Sequence, residues 1–335
     1  MTAWIKSNGF LLGLLTMIGL AWLAPDWGAS DGWLKGAVTR RIAVFVIFLV
    51  QGLGLPTEAL TRGAVQWRLH GFVLGWNYVA VPVLVLAALA GLGGWVSPEL
   101  RFGFVYLAIL PTTITSAVYF TSAAKGDVGA AVFSTAISNL LSVVLVPLGC
   151  AWFLFRGGSG EVSVAQMLLK LCQLIVLPMV LGQVMRPWLI TLLPRLKSAF
   201  KRATTVAIFF IMYSTFCDGV KRAAWDAIGW GSVLGAGTGA LTLLVVVAWG
   251  VWFTSAIVGL DPGARVSAFF CASQKSLATG VPMATSIFAS GVPADSVPDV
   301  SVIVVPLMIY HFLQLTLAAR LVPRLLRDDR SSGGL

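Results

Sequence analysis

Residues 231–259 read GSVLGAGTGALTLLVVVAWGVWFTSAIVG and contain no charged side chain. A run of this length can span the ~30 Å hydrocarbon core of a bilayer, because an α-helix rises ~1.5 Å per residue. Backbone groups in lipid need partners within their own segment, which favours a helix, and the run lacks the alternation of a β-barrel strand. The stretch therefore predicts a transmembrane helix.

The rest of the chain repeats this pattern. Of its 335 residues, 58% are hydrophobic and 11% are charged, whereas a soluble domain has roughly 25% charged residues. Apolar runs predict an all-α polytopic membrane protein with ten transmembrane helices, at about 8–25, 40–55, 70–92, 102–123, 127–154, 165–189, 203–217, 231–259, 264–290 and 299–322. We expect one transmembrane domain over 1–335, with the first five to six helices in 1–185, the remaining helices in 203–322 and a cytoplasmic tail at 323–335.

The positive charges indicate an orientation. With ten spans both termini lie on one side, and that side holds fourteen of the 23 Lys and Arg residues. The positive-inside rule then predicts cytoplasmic termini in a plasma membrane, the inner membrane in a bacterium. The richest cationic loop lies at 186–202, and ten spans divide into two halves of five spans each, the arrangement of an inverted repeat. Short basic loops explain the net charge of +10, so we expect the lipid bilayer as a partner and no nucleic acid.

Two segments are polar and interrupted, namely LPTTITSAVYFTSAAKGD at 110–127 and FFCASQKSLATGVPMATS at 269–286. They belong to the fourth and ninth predicted spans, which hold corresponding places in the two halves. Such a pair indicates the binding site of a transporter, where unwound backbone and half-helix ends face a ligand. The alternative is that their Ser and Thr residues only pack helices and bond their own backbone.

Lys275 is the strongest single candidate for a binding residue, because it lies near the middle of the ninth segment. A lysine at mid-membrane costs about 2.5–3.5 kcal/mol on insertion scales and usually faces a cavity or a partner. The lysine side chain is too short to extend its charge from this position to the membrane–water interface. A shifted helix register or a buried neutral lysine are the alternatives.

Polar residues in other segments are weaker candidates. Thr135 and Asn139 share one face of the fifth segment, Asn77 lies in the third and His311 in the tenth. For these residues, interhelical hydrogen bonding competes with ligand contact. The predicted substrate- or ion-binding residues are Asn77, Thr112, Thr113, Thr115, Ser116, Thr135, Asn139, Ser273, Gln274, Lys275, Ser276 and His311; no metal ligands are assigned.

Several stretches resemble a known family. They are FLVQGLGLPTEAL (48–60), WRLH (67–70), LPTTITSAVYFTSAAKGDVGAAVFSTAISNLLSVVLVPL (110–148), FFCASQKSLATGVPMA (269–284) and PLMIYHFLQL (306–315). In these the chain resembles the bile acid:sodium symporter superfamily, and more closely its SBF-like branch. The resemblance implies a panel domain of spans 1, 2, 6 and 7 and a core domain of spans 3–5 and 8–10. Spans 4 and 9 would be broken and cross near the bilayer centre, and the panel would move against the core in alternating access.

The sequence departs from the sodium-coupled pattern of that family. Gln274 matches the glutamine of span 9 and Asn77 stands at the glutamine of span 3. The glutamate position falls at about Phe270, and the Ser-Asn pair of span 4 at about Ser116–Ala117. All thirteen acidic residues fall in loops, tails or helix ends, so no carboxylate cages Na⁺ at mid-membrane. The resulting hypothesis is that the ammonium of Lys275 replaces the bound cation.

Together these features favour a secondary active transporter of a small organic, anionic solute by alternating access. Na⁺ or H⁺ is the possible coupling ion, family-type Na⁺ symport stays open, and no cofactor is expected. The alternative is a non-transporting membrane regulator of ion homeostasis. An enzyme is not expected, because the sequence has no HExxH or GxSxG motif and no mid-membrane aspartate.

Overall fold

The computed structural model describes residues 2–54, 66–92, 96–154, 169, 172–226, 229–288 and 297–332. Over these residues the regular structure is entirely helical, without a strand. Within the described segments, seven helices are long and apolar enough to cross a membrane, and there are eight such spans if one bent pair counts as a single span. The predicted all-α class is therefore confirmed.

The helices are labelled here in chain order. They are α1 (Thr2–Leu23), α2 (Pro25–Gly28), α3 (Gly36–Gly54), α4 (Trp67–Leu92), α5 (Pro98–Ile109), α6 (Ile114–Ala123), α7 (Val128–Phe153), α8 (Cys172–Leu189), α9 (Leu193–Lys221), α10 (Trp230–Ile257), α11 (Pro262–Ser273), α12 (Leu277–Phe288), α13 (Val300–Ile303) and α14 (Val305–Ser332). A π-helical turn lies within α4 at Trp76–Ala80, and another opens α8 at Cys172–Val176.

The predicted loop after the sixth span differs from the expectation. The predicted loop at 186–202 is helical except at residues 190–192, because α8 continues to Leu189 and α9 begins at Leu193. Lys and Arg are good helix formers, so the end of an apolar run does not mark the end of a helix. Pro194 lies in the first turn of α9, where proline is tolerated.

Three other predicted boundaries also shift or remain open. The predicted tail at 323–335 is helical as far as Ser332, because α14 runs on past the apolar segment. The predicted end of the second helix at 55 and the predicted start of the sixth at 165 lie outside the described residues.

Helix α10 carries an exposed apolar stripe. Its side chains at every fourth position are 48–70% exposed, and these are Leu241, Val245, Trp249, Phe253 and Ile257. Small and apolar residues of the other face are buried, among them Ala236, Ala240, Leu244 and Val251. Water would make such a stripe unfavourable by about 25 cal/mol per Å², so the stripe indicates contact with lipid.

The chain divides into two compact units. The first unit contains residues 1–55, 155–229 and 281–304, and the second contains 56–154, 230–280 and 305–335. In the first unit α3 packs against α8 and α9, and α9 also contacts α1. In the second unit α10 packs against α11 and α14, and α11 packs against α4, α6 and α7.

The contact between α3 and α8 in the first unit depends on two glycines. A Cβ atom at Gly52 would collide with the backbone carbonyl of Met179, and one at Gly182 would collide with the backbone carbonyl of Leu49. Backbone atoms on both sides prevent local relaxation. The two helices can therefore approach this closely only with glycine at both positions, as is common in membrane helix pairs.

We expect Gly52→Ala to lower the melting temperature of the purified protein in detergent micelles, because the added methyl group forces α3 and α8 apart. Overpacking of this kind costs about 1–3 kcal/mol. Gly54→Ala is the matched control, since no other part of the described chain approaches within 4 Å of the Cβ position at Gly54. Equal melting temperatures for the two variants would contradict the close contact.

Candidate functional site

Two interruptions in the helices meet within the second unit, and we call them the first gap (residues 110–113) and the second gap (residues 274–276). The first separates α5 from α6, whose axes differ by 59°, and the second separates α11 from α12. The backbone is extended at Leu110 (ψ 152°) and at Gln274 (ψ 146°). The amide of Ser276 donates to the carbonyl of Pro111 at 2.9 Å. This backbone hydrogen bond joins the two gaps directly.

The sequence explains both gaps locally. Pro111 has no N–H and disfavours the α conformation at the residue before it, so the helix ends ahead of it. In the second gap, the hydroxyl of Ser276 accepts from the amide of Thr279 at 3.2 Å. This is an N-cap interaction, in which a serine oxygen satisfies a free amide of the first turn of a helix. Ser276 therefore acts as the cap of α12.

Lys275 lies in the second gap and is 1% exposed. Its Nζ donates to the carbonyl of Asn77 at 3.1 Å and to those of Ala108 and Leu110 at 2.8 Å each. Asn77 belongs to the π-helical turn of α4, and Ala108 and Leu110 belong to the end of α5 and the first gap. Among the described residues no carboxylate forms an ion pair with Lys275.

The geometry at Lys275 fits the ammonium form. Carbonyl oxygens only accept hydrogen bonds, so three of them around one Nζ require three N–H donors. An ammonium group has three N–H bonds, whereas a neutral amine has two. The last carbonyls of α5 also lack helical partners and carry the partial negative charge of a helix C-terminus. Both features favour a positive charge at this position.

Gln314 holds the backbone of Lys275. Its Oε1 accepts from the amide of Lys275 at 2.7 Å, and its Nε2 donates to the carbonyl of Lys275 at 2.9 Å. The same Nε2 lies 2.8 Å from Nδ1 of His311. Tyr310 donates its hydroxyl hydrogen to the carbonyl of Ser273 at 2.8 Å. Helix α14 thus supplies the partners that the non-helical backbone around Lys275 would otherwise lack.

Asn139 connects α7 to both gaps. Its Nδ2 donates to the carbonyls of Thr112 at 2.8 Å and Thr135 at 2.9 Å, and its Oδ1 accepts from the hydroxyl of Thr279 at 3.0 Å. Tyr106 adds a hydrogen bond from its hydroxyl to the carbonyl of Gly280 at 2.6 Å. These contacts give Asn139 a structural role that uses both ends of its amide.

Some buried polar atoms at the gaps have no partner. Ser116 donates to Oε1 of Gln274 at 2.7 Å, but Nε2 of Gln274 has no partner among the described residues. Asn77 donates from Nδ2 to the carbonyl of Cys271 at 3.1 Å, and its Oδ1 has none. Oγ1 of Thr112 is also without one. Because an unsatisfied buried polar group costs about 1–3 kcal/mol, these atoms are candidates for contact with water or a ligand.

The remaining predicted residues have other placements. Thr115 is exposed on α6, and the hydroxyls of Thr135 and Ser273 bond to carbonyls of their own helices. The hydroxyl of Thr113 accepts from the hydroxyl of Ser116 at 3.2 Å, at the start of α6. Gln314 is not among the predicted site residues. A side-chain amide within an otherwise apolar segment is the feature that could have indicated it. No group of three or more His, Cys, Asp or Glu residues suited to a metal ion occurs in the described part of the chain.

Comparison with known proteins identifies the family. The sequence profile of the SBF-like CPA transporter family matches residues 8–327. The chain belongs to this family. Family membership confirms the resemblance found in the sequence, and it identifies the chain as a multi-pass membrane transporter rather than an enzyme.

Relatives with similar sequences extend over nearly the whole chain. The protein named "Putative symporter YfeH" from Escherichia coli is 34% identical over 326 residues, which cover 95% of this chain and 93% of that protein. "Uncharacterized protein PA2026" from Pseudomonas aeruginosa is 32% identical over 331 residues, covering 97% and 95%. "Sodium/bile acid cotransporter 7" from Mus musculus is 31% identical over 330 residues, covering 95% and 92%.

We expect Gln314→Leu to destabilise the protein, because it leaves the amide and carbonyl of Lys275 buried without their present partner. The expected cost is about 1–3 kcal/mol for each orphaned group, measured as a fall in melting temperature. Thr316→Val in the same helix is the control, since the hydroxyl of Thr316 bonds only to the carbonyl of Phe312. Equal effects of the two variants would contradict this role of Gln314.

Proposed function

We propose that the chain is a secondary active transporter that carries a small organic anion across the bacterial inner membrane, with Lys275 standing in place of a coupling cation. The observation that carries this proposal is the set of three carbonyl oxygens within 2.8–3.1 Å of a buried Nζ. Carbonyl oxygens that converge on one point are also how proteins replace the hydration shell of an alkali cation. An ammonium group already occupies that point here.

The charge at Lys275 favours an anionic substrate. A buried cation without a paired carboxylate is costly, and a bound anion nearby would offset part of that cost. Nε2 of Gln274 is a buried donor without a partner, next in sequence to Lys275. It is available to donate to an oxygen of the substrate, and Oδ1 of Asn77 can accept from a hydroxyl or a water molecule.

Alternating access also has support from the architecture. The two units take up the chain segments expected for the panel (spans 1, 2, 6 and 7) and the core (spans 3–5 and 8–10), with two exceptions. Residues 281–288 of the ninth span and 299–304 of the tenth fall in the first unit. The bent pair α5 and α6 supports a broken fourth span, and the gap at 274–276 supports a broken ninth. We propose ten spans as a 5+5 inverted repeat, with both termini in the cytoplasm.

The names of the relatives bear on the substrate and the coupling. YfeH is named a symporter and the mouse protein a sodium/bile acid cotransporter, which supports coupled transport of an organic solute by this chain. Phe270 and Lys275 are unfavourable for a Na⁺ site, since the side chain of Phe270 offers no oxygen and that of Lys275 brings a like charge. We therefore propose that transport is independent of Na⁺ or coupled to protons.

Uptake into proteoliposomes tests the proposed function. Labelled taurocholate and a panel of smaller carboxylates are offered with Na⁺ or with choline outside, at constant pH. We expect at least one anion to accumulate, with initial rates that agree within about twofold between the two cations. A steep Na⁺ dependence would contradict the proposal, and an absence of uptake for every anion would favour the non-transporting regulator.

Substitution of Lys275 provides a second prediction. In Lys275→Ala the three carbonyl oxygens lose their donor and leave room for a cation, so we expect saturating Na⁺ to raise stability by roughly 1–3 kcal/mol. Lys275→Met is the matched variant, because it removes the charge but still fills the space. Melting temperatures with NaCl and choline chloride should differ only for Lys275→Ala. A Na⁺-induced increase in the wild-type protein would contradict the hypothesis.

A further inference from the structure

A second polar site lies within the first unit. It is a cavity of about 590 Å³, which falls in the range of about 300–1,000 Å³ that is typical of small-molecule sites. The start of α3, the end of α9 and residues 297–300 contribute to its walls, and no residue of the two gaps does. The cavity is therefore separate from the site around Lys275.

The charged residues that the structure describes in the wall carry an excess of positive charge. They are three arginines and two aspartates. Arg40 donates to Asp218 and to the hydroxyl of Ser30, each at 2.6 Å. The same carboxylate of Asp218 accepts from the amide of Ser30 at 2.7 Å. The charge of Arg40 is thus neutralised and its side chain is held in place. The two other arginines therefore determine which ligand charge the cavity favours.

Arg222 and Arg41 are the available cations. Arg222 lies 3.5 Å from Asp299, and its side chain is 62% exposed. The other oxygen of Asp299 already accepts from the amide and hydroxyl of Ser301, at 2.9 and 2.7 Å. Arg41 has no hydrogen bond or ion pair within the described part of the chain. Both guanidinium groups can therefore turn to a ligand without breaking a strong pair.

A buried hydroxyl provides an independent indication of a ligand. Thr215 lines the cavity and is 2% exposed, yet its Oγ1 has no hydrogen-bond partner among the described residues. A hydroxyl kept from water in this way is unfavourable unless something in the cavity bonds to it. The hydroxyl can donate to an oxyanion, which the arginines would also attract.

We propose that this cavity binds an oxyanion, either a carboxylate or a phosphate group, through the guanidinium groups of Arg41 and Arg222. The planar guanidinium fork matches the oxygens of both groups. The orientation predicted from the positive charges puts Arg40, Arg41 and Arg222 on the side opposite the termini, so the cavity would hold the solute outside the cytoplasm. This last point rests on the proposed function, whereas binding itself does not. The oxyanion belongs to a soluble organic anion or to the headgroup of an anionic phospholipid.

Calorimetric titration of the full-length protein in an uncharged maltoside detergent tests the proposal. Citrate and inorganic phosphate are the probes, at low ionic strength, and glycerol is the uncharged control. We expect saturable binding of at least one probe and none of glycerol. Arg41→Gln and Arg222→Gln should each weaken the affinity about tenfold or more, because each removes a charge-assisted contact.

The control variant is Arg195→Gln, since Arg195 is an exposed arginine of α9 that does not line the cavity. Its affinity should stay within about twofold of the wild-type value. Arg41→Lys keeps the charge but loses the fork, and it should bind less tightly than the wild type. This variant keeps the test decisive if Arg41→Gln does not yield folded protein.

Nanodiscs distinguish the two sources of the oxyanion. If phosphatidylglycerol in the discs weakens citrate or phosphate binding relative to phosphatidylcholine alone, the lipid headgroup is the occupant. Equal affinity in the two kinds of disc assigns the site to a soluble anion. The proposal is overturned if neither probe binds and no phosphatidylglycerol is retained, or if Arg41→Gln/Arg222→Gln binds as the wild type does. Calorimetry requires no transport, so a failure of uptake would leave this result intact.

Discussion

The set of hydrogen bonds from the buried Nζ of Lys275 to three backbone carbonyls is the interaction on which the second unit depends. Its three acceptors come from the π-helical turn of α4, from the last turn of α5 and from the gap that follows α5. Without a cation, these carbonyl dipoles would face one another unpaired in a region closed to water. Without the gaps, a helical backbone would leave no such set of free carbonyls. The interrupted helices and the buried charge therefore require each other.

The surrounding side chains make the non-helical backbone tolerable in a membrane protein. Gln314 pairs with both backbone groups of Lys275, Asn139 accounts for the carbonyl of Thr112, and Tyr106 for that of Gly280. Irregular backbone survives at membrane depth only when protein groups or a cavity satisfy it. The few polar atoms left over, such as Nε2 of Gln274, then stand out as the places where a substrate or water can bind. A rigid cage with a few unsatisfied groups suits a site that must release what it binds.

The sequence predicts part of this arrangement for clear physical reasons. Apolar runs reveal helices, Pro111 reveals a break, and a lysine far from any segment end reveals a buried charge. The acidic residues do not indicate the partners of Lys275, because these are backbone carbonyls, and every residue type has one. Hydropathy does not indicate the helical start of α9, because it reports lipid contact and not helix ends. The sequence shows the arginines of the first unit only as loop charges, because their common cavity exists only after folding.

The protonation of Nζ in Lys275 tests the central claim most directly. Protein labelled with ¹⁵N at the lysine side chains can be studied by NMR in detergent micelles, and the resonance of Lys275 is assigned by its loss in Lys275→Met. At neutral pH this nitrogen should carry three attached hydrogens, and its resonance should not change when NaCl replaces choline chloride. A nitrogen with two attached hydrogens, or a resonance displaced by Na⁺, would contradict the account.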